Sequence, residues 1–172
     1  MGLTPHLSRI TSWRRSIGAA SRSLLVSLVV SATALVGIAN REAFMPAAYR
    51  DSVGVPTLGY GTTEGVKMGD KTTPERALVR LLKDAEKFGA ALQQCIKVPL
   101  FQYEFDAFLS LAYNIGTNAF CNSTLVKLLN QGDYLGACQQ ILRWDKAGGK
   151  TLAGLTTRRQ AEYQQCLGKA TP

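Results

Sequence analysis

The chain has one histidine, His6, and none of its four cysteines stands in a CxxC pair. That composition argues against a zinc centre, and nothing else in the sequence calls for a cofactor. No basic–aromatic box or zinc-finger spacing is present, so nucleic acid is not an expected partner despite the formal charge of +8. No acid precedes Glu42, and residues 1–40 contain no cysteine. After residue 40 there is no internal repeat and no low-complexity linker, so the remainder reads as one globular body.

The chain's 172 residues suffice for one domain with a buried core. Half of the positive excess comes from Arg9, Arg14, Arg15 and Arg22, which have no acid among them. Ser23 to Asn40 follows as an uncharged run diluted by Ser, Ala, Thr and Gly. As a helix it would be about 25 Å long, against roughly 30 Å of bilayer hydrocarbon. It is therefore a marginal span, apolar enough to engage an export machine. Four arginines and no acid on its N-terminal flank, against Arg41 beside Glu42 at the other end, predict the N-terminal end in the cytoplasm and the rest of the chain outside. Three fates compete: a cleaved signal peptide, a permanent anchor and a temporary anchor. Cleavage after Ala39 or Ala34 would leave Glu42 near a free end. A permanent anchor would hold it against the membrane face. A temporary anchor, first in lipid and later part of the folded body, meets both constraints. The expected division is thus a signal-anchor segment over 1–40 and a catalytic domain over 41–172.

Asn40 to Arg50 reads as a short helix or turn broken at Pro46, and Val53 to Tyr60 as strand, continuing through Thr62 and Val66 in a small hairpin sheet. Thr73-Pro74-Glu75 is a helix start, with Thr73 as N-cap and the helix running to about Cys95. Further helices are predicted over Gln102–Asn114, Ser123–Asn130, Tyr134–Trp144 and Leu155–Leu167, with a loop over Lys146–Lys150. Cys95, Cys121, Cys138 and Cys166 fit two disulfides in an exported protein, and three pairings are open.

The stretch Arg41–Thr63 carries the chemistry. Glu42 is followed nine residues later by Asp51 and six after that by Thr57, just before Gly59-Tyr60-Gly61. Glycoside hydrolysis needs an acid on the leaving oxygen and a second carboxylate that activates water or attacks directly. Glu42, ending an apolar segment, suits the acid, because partial burial favours a protonated carboxyl. Asp51, after Arg50 in a polar segment, suits the ionised partner. Thr57 can donate to and accept from a water.

In order and spacing, Glu42, Asp51 and Thr57 with Thr57-Leu58-Gly59-Tyr60-Gly61 resemble the catalytic signature of the phage T4-type lysozymes. Phe105 to Gly116, Ser123-Thr124-Leu125, Asn130 to Asp133, Arg143 to Gly149 and Gly154 to Arg159 resemble later motifs of that family in the same order. The apolar N-terminus is similar to that of the signal-arrest-release endolysins, which are held inactive in the membrane until it depolarises. The resemblance implies an α+β lysozyme-like fold, with a mostly helical C-terminal lobe, a small β-hairpin lobe and a cleft between them. It implies a lysozyme, a glycoside hydrolase that lyses the host by cutting peptidoglycan. Glu42 would be the general acid, Asp51 and Thr57 the pair that positions water, and the outcome inversion. Tyr113 and Asn114 would bind substrate along the cleft. Arg143 and Arg158 would support the structure or meet acidic groups on the glycan's peptides, and Trp144 would belong to the helical core. It further implies a monomer passing from the host inner membrane, through residues 23–40, to the periplasm.

One departure stands out: Thr62 occupies a place where the family commonly has His, so an ion pair is expected to be missing. A thiol switch in the anchor is not available, so the cysteines are expected only to stabilise. The pairing favoured is Cys138–Cys166, joining the last two long helices, with Cys95–Cys121 remaining. Competing readings are a wall-binding module with a dead site, a membrane-disrupting protein acting through residues 1–40, and a transglycosylase.

Overall fold

The computed structural model describes residues 22, 28–51 and 54–169. Most of the basic N-terminus and positions 23–27 of the expected anchor lie outside these residues. Among the described residues no helix is long and apolar enough to cross a membrane.

Helix α1 spans Ala32–Glu42 and so runs across the expected boundary at residue 40. Ser31 caps it, accepting from Ala34 N. One face of α1 enters the core through Ala34 and Ile38, the latter fully buried, while Val36 on another face stays exposed. Segment 40–50, expected as helix or turn, instead splits between the end of α1 and strand β1 (Met45–Arg50). β1 pairs antiparallel with β2 (Pro56–Gly59), with Tyr49 opposite Thr57 and Met45 opposite Gly59. Pro46 is compatible with this strand because its carbonyl, not its missing N–H, accepts from Thr72 N at 2.9 Å. The expected extension of the hairpin past Tyr60 reduces to a single bridge between Leu58 and Thr62.

Helix α2 (Pro74–Cys95) begins at the expected Thr73 cap and buries Ala77, Leu81, Ala85 and Leu92. Helix α3 (Gln102–Ile115) is the central element, buried continuously from Glu104 to Ala112. Around it stand α4 (Thr117–Cys121), α5 (Thr124–Asn130), α6 (Tyr134–Gln140) and α7 (Ala153–Cys166). The expected helix 134–144 stops at Gln140 and ends in a 3-10 turn, Ile141–Arg143. The expected loop 146–150 closes as a small hairpin of β3 (Lys146–Ala147) and β4 (Lys150–Thr151).

The chain ahead of α1 is strapped to the first turns of α3. Arg22 forms a two-point ion pair with Glu104 at 2.9 and 3.2 Å, and its guanidinium stacks 3.8 Å from the Tyr134 ring centroid. Gln102 Nε2 donates to the Val29 carbonyl and to Asp106 Oδ1, and Ser31 Oγ donates to Asp106 Oδ2 at 2.6 Å. Burial pushes the Asp106 carboxyl above the usual aspartate range, partly offset by these donors.

Both favoured disulfides are present. Cys95–Cys121 joins the end of α2 to α4, and Cys138–Cys166 joins α6 to the end of α7. Their sequence separations are 26 and 28 residues, so each restricts the unfolded chain by about 3.5 kcal/mol in the loop-entropy picture. Replacing Cys138 and Cys166 together by serine is expected to lower the unfolding free energy by about 2–4 kcal/mol. Urea titrations of the two proteins under oxidising conditions check this.

Candidate active site

Glu42 is the last residue of α1 and sits where the helical body meets the hairpin. The next residue, Ala43, has φ 46° and ψ 138°, a left-handed backbone that a non-glycine residue adopts at a cost of about 1–3 kcal/mol. That kink turns the chain from α1 into β1 directly after the carboxylate. As expected, Glu42 is only partly buried, its side chain 21% exposed. Arg158 of α7 donates from Nη1 to Glu42 Oε1 at 2.8 Å. The other oxygen faces the turn after β2: a Cβ placed on Gly61 would lie 3.4 Å from Glu42 Oε2 and 3.8 Å from the Tyr113 hydroxyl. Gly61, at φ +86°, thus keeps the approach to Oε2 open as well as supplying the turn. Gly59 answers to packing: a Cβ there would come within 2.8 Å of Ala77 Cβ on α2.

Tyr113, near the end of α3, donates its hydroxyl to the Tyr60 carbonyl at 3.1 Å, and its ring lies 5.0 Å from that of Phe88. Burial, reinforced by Asp84 and Glu42, pushes its phenol far above the usual range, so it stays a neutral donor at every relevant pH. Tyr113, Gly61, Thr63, Asp84 and Phe88 line a depression of about 270 Å³ beside Glu42. Asn114 is exposed, but its Oδ1 accepts from Arg159 Nη2 at 3.0 Å, which fixes which face of the amide remains for a ligand.

The other two expected residues belong to the hairpin. Asp51 follows β1 directly, and Thr57, 3% exposed, stands on β2 opposite Tyr49. Both are tied to the backbone of one residue: Asp51 Oδ1 accepts from Val55 N at 2.8 Å, and Thr57 Oγ1 donates to the Val55 carbonyl at 3.0 Å. This differs from the expectation that Thr57 both donates and accepts. Its hydrogen is engaged by Val55, so the lone pairs are what it offers. The hairpin carries Asp51 and Thr57 near its turn, and its base adjoins Glu42 and Gly61.

Thr62 is buried, and its hydroxyl donates to Asp84 Oδ2 of α2 at 2.7 Å. The expected gap left by the absent histidine is therefore filled by a hydrogen bond from a neutral hydroxyl to the Asp84 carboxyl. Trp144 packs partly buried against the core, as expected. Arg143 is exposed at the rim of a depression formed with Asn122, Ser123 and Trp144. Among the described residues no group of three or more His, Cys, Asp or Glu is placed to hold a metal ion.

Sequence reasoning missed what lies behind Glu42. Glu162 of α7 is fully buried; its Oε1 accepts from Ser110 Oγ at 2.6 Å and from Arg158 Nε at 3.1 Å, and its Oε2 lies 3.0 Å from Arg159 Nε. Arg41 Nη1 reaches Ser110 Oγ at 3.3 Å. Desolvation lowers the guanidinium pKa of Arg41 and pulls that of Arg159 down to about 10, with Glu162 opposing both shifts. A signal was present: Arg159, Glu162 and Cys166 follow the three–four spacing of a buried helical face, and all three are buried.

A family model described as Phage lysozyme matches residues 39–162. The chain is 45% identical over 137 residues to an endolysin of Acyrthosiphon pisum secondary endosymbiont phage 1, covering 77% of this chain and 94% of that one. It is 43% identical over 140 residues to a SAR-endolysin of Pseudomonas phage phiKMV, covering 79% and 87%. Among solved structures, the endolysin from Escherichia coli O157:H7 phage FAHEc1 superposes with a TM-score of 0.75 at 41% identity, covering 85% of this chain and 98% of that one. With the helical body, the small hairpin lobe and the ordered motifs in agreement, the chain belongs to the phage lysozyme family and is a muramidase of the endolysin kind.

Proposed function

We propose that Glu42, Asp51 and Thr57 are the hydrolytic centre, cutting the β-1,4 bond between N-acetylmuramic acid and N-acetylglucosamine with inversion. The observation that carries the reading is the asymmetry at Glu42: Arg158 holds Oε1, while Oε2 faces Gly61 and Tyr113. Oε2 is then the atom that gives its proton to the glycosidic oxygen as the C–O bond breaks. On the opposite face a water attacks the anomeric carbon, passing one hydrogen to Asp51. Because Thr57 gives its own hydrogen to Val55, its oxygen accepts the water's second hydrogen, leaving a lone pair aimed at the sugar. Tyr113 and Asn114 border the bound glycan.

Residues 23–40 are proposed to hold the chain in the host inner membrane after export, with the N-terminus in the cytoplasm, and then to leave it uncut. The monomer then acts in the periplasm. The name of the phiKMV relative, the excess of arginine on the N-terminal flank and the contacts of Arg22 and Ser31 with α3 support this reading.

Proton NMR during digestion of soluble glycan strands tests the chemistry. The new reducing end is expected first as the α-anomer, equilibrating later. The β-anomer appearing first would remove the water-positioning role of Asp51 and Thr57, and an anhydro sugar would mean transglycosylation.

A further inference from the structure

Glu162 is a buried acid that the proposed chemistry does not use, yet it touches Ser110, Arg158 and Arg159 behind Glu42. From α3 it receives the Ser110 hydroxyl, and along α7 it faces Arg158 and Arg159. From α1 it faces Arg41, which reaches it through Ser110. Arg158 therefore stands between two carboxylates: its Nε serves Glu162 and its Nη1 serves Glu42. Its Nη2 donates to the Ser110 carbonyl at 3.2 Å, so the guanidinium is held along three edges.

We propose that Glu162 is a positioning residue for the hydrolysis: through Arg158 it sets the place and the charge balance of the Glu42 carboxyl. This rests on the reading of Glu42 as the proton donor. Two consequences follow from geometry and Coulomb's law. First, Glu162 and Ser110 fix the rotamer of Arg158, and hence which oxygen of Glu42 is engaged and which is left toward the cleft. Second, Glu162 takes part of the Arg158 charge. Without that share the full cation falls on Glu42 and favours the carboxylate, which cannot protonate a leaving group. Arg41 and Glu42 are the members contributed by α1. The arrangement is complete only when α1 lies on α3 and α7, so the same set registers that the N-terminal helix has docked.

The test compares Glu162→Gln with wild type as purified full-length protein acting on soluble glycan strands. Rates are expressed per folded molecule and measured across the pH range in which both stay folded. The expected result is a fall in kcat on the order of tenfold to a hundredfold with KM little changed. The alkaline limb of the pH–rate profile is expected to move to lower pH. A merely structural glutamate would lower the folded fraction and leave both readouts alone. Loss of the Glu162 charge leaves Arg159 buried without its counterion, so a second variant guards against misfolding. Ser110→Ala keeps every charge and removes the hydroxyl between Arg41 and Glu162, and it is expected to lower kcat by about three- to tenfold. Wild-type kcat and pH profile in a folded Glu162→Gln protein would overturn the inference. So would wild-type values in Ser110→Ala where the glutamine variant does not fold. Glu42→Gln, run alongside, separates the two levels. If it retains activity, the assignment of Glu42 itself fails. If it is dead while the Glu162 and Ser110 variants match wild type, only the role of Glu162 fails.

Discussion

Glu42→Gln is expected to lower the rate of peptidoglycan cleavage by at least about a thousandfold while leaving the fold intact. The amide has nearly the carboxyl's shape and still offers an oxygen to Arg158 Nη1, which in wild type binds Oε1 at 2.8 Å. Arg158 keeps its second partner, Glu162, at 3.1 Å, so no buried cation is stranded. The Glu42 side chain is 21% exposed, and a partly solvated ion pair of this kind adds on the order of 1 kcal/mol or less. The loss is thus one of chemistry: an amide has no acidic proton for the glycosidic oxygen. Turbidity loss of outer-membrane-permeabilised bacteria, read beside a thermal melt, checks both halves. Full lysis by the glutamine variant would sink the assignment. It would return attention to membrane disruption through residues 1–40, which requires lysis to survive this substitution and to disappear on deletion of Ser23 to Ala39.

The membrane-held chain is expected to have essentially no activity and to gain all of it on release. The reason lies in α1, which ends at Glu42. In the folded protein Ile38 and Ala34 are buried in the core, and Leu28 ahead of the helix is buried too. Fully burying an Ile or Leu side chain is worth about 1.5–3 kcal/mol each, and the strap adds the Arg22–Glu104 pair and the Ser31–Asp106 hydrogen bond. With the segment in lipid those groups would be satisfied elsewhere, and Arg22 would lie at the membrane's cytoplasmic edge. Glu104, Asp106 and Ser110 on α3 would then lack Arg22, Ser31 and Arg41, and Arg158 would lack the Glu42 carboxylate. Ser, Thr and Gly in the segment would weaken its hold on the bilayer, and Glu104, Asp106 and Ser110 would take up Arg22, Ser31 and Arg41 on release.

Much of this was legible in the sequence. The cap Thr73-Pro74, the apolar spacing of α2 and the Gln102 start of α3 follow from side-chain chemistry that acts within one or two turns. The Glu42–Asp51–Thr57 spacing and the motifs after it pointed to the family before any contact was known. β1 was not legible, because Met-Pro-Ala-Ala-Tyr-Arg has no alternation of its own and becomes strand by pairing with Pro56–Gly59. Helix α4, five residues long, is too short to display a period, and it is held from outside by the Cys95–Cys121 bridge. The end of α6 tightened into a 3-10 turn that helical spacing does not distinguish. The network behind Glu42 stayed hidden for a different reason. Arg158, Arg159 and Glu162 look like a solvated surface cluster until α3 supplies Ser110 and α1 supplies Arg41, and those partners are 48 or more residues away.

The central claim is that one segment, 23–40, serves first as membrane anchor and then supplies most of α1, the helix that places Glu42. Fractionation of expressing cells before and after abrupt depolarisation, with intact mass and lytic activity measured on each fraction, tests it most directly. The account predicts an inactive membrane-bound form that becomes a soluble, active protein of unchanged mass. A soluble active form found only with the N-terminal segment removed, or full activity while still in the membrane, would contradict it.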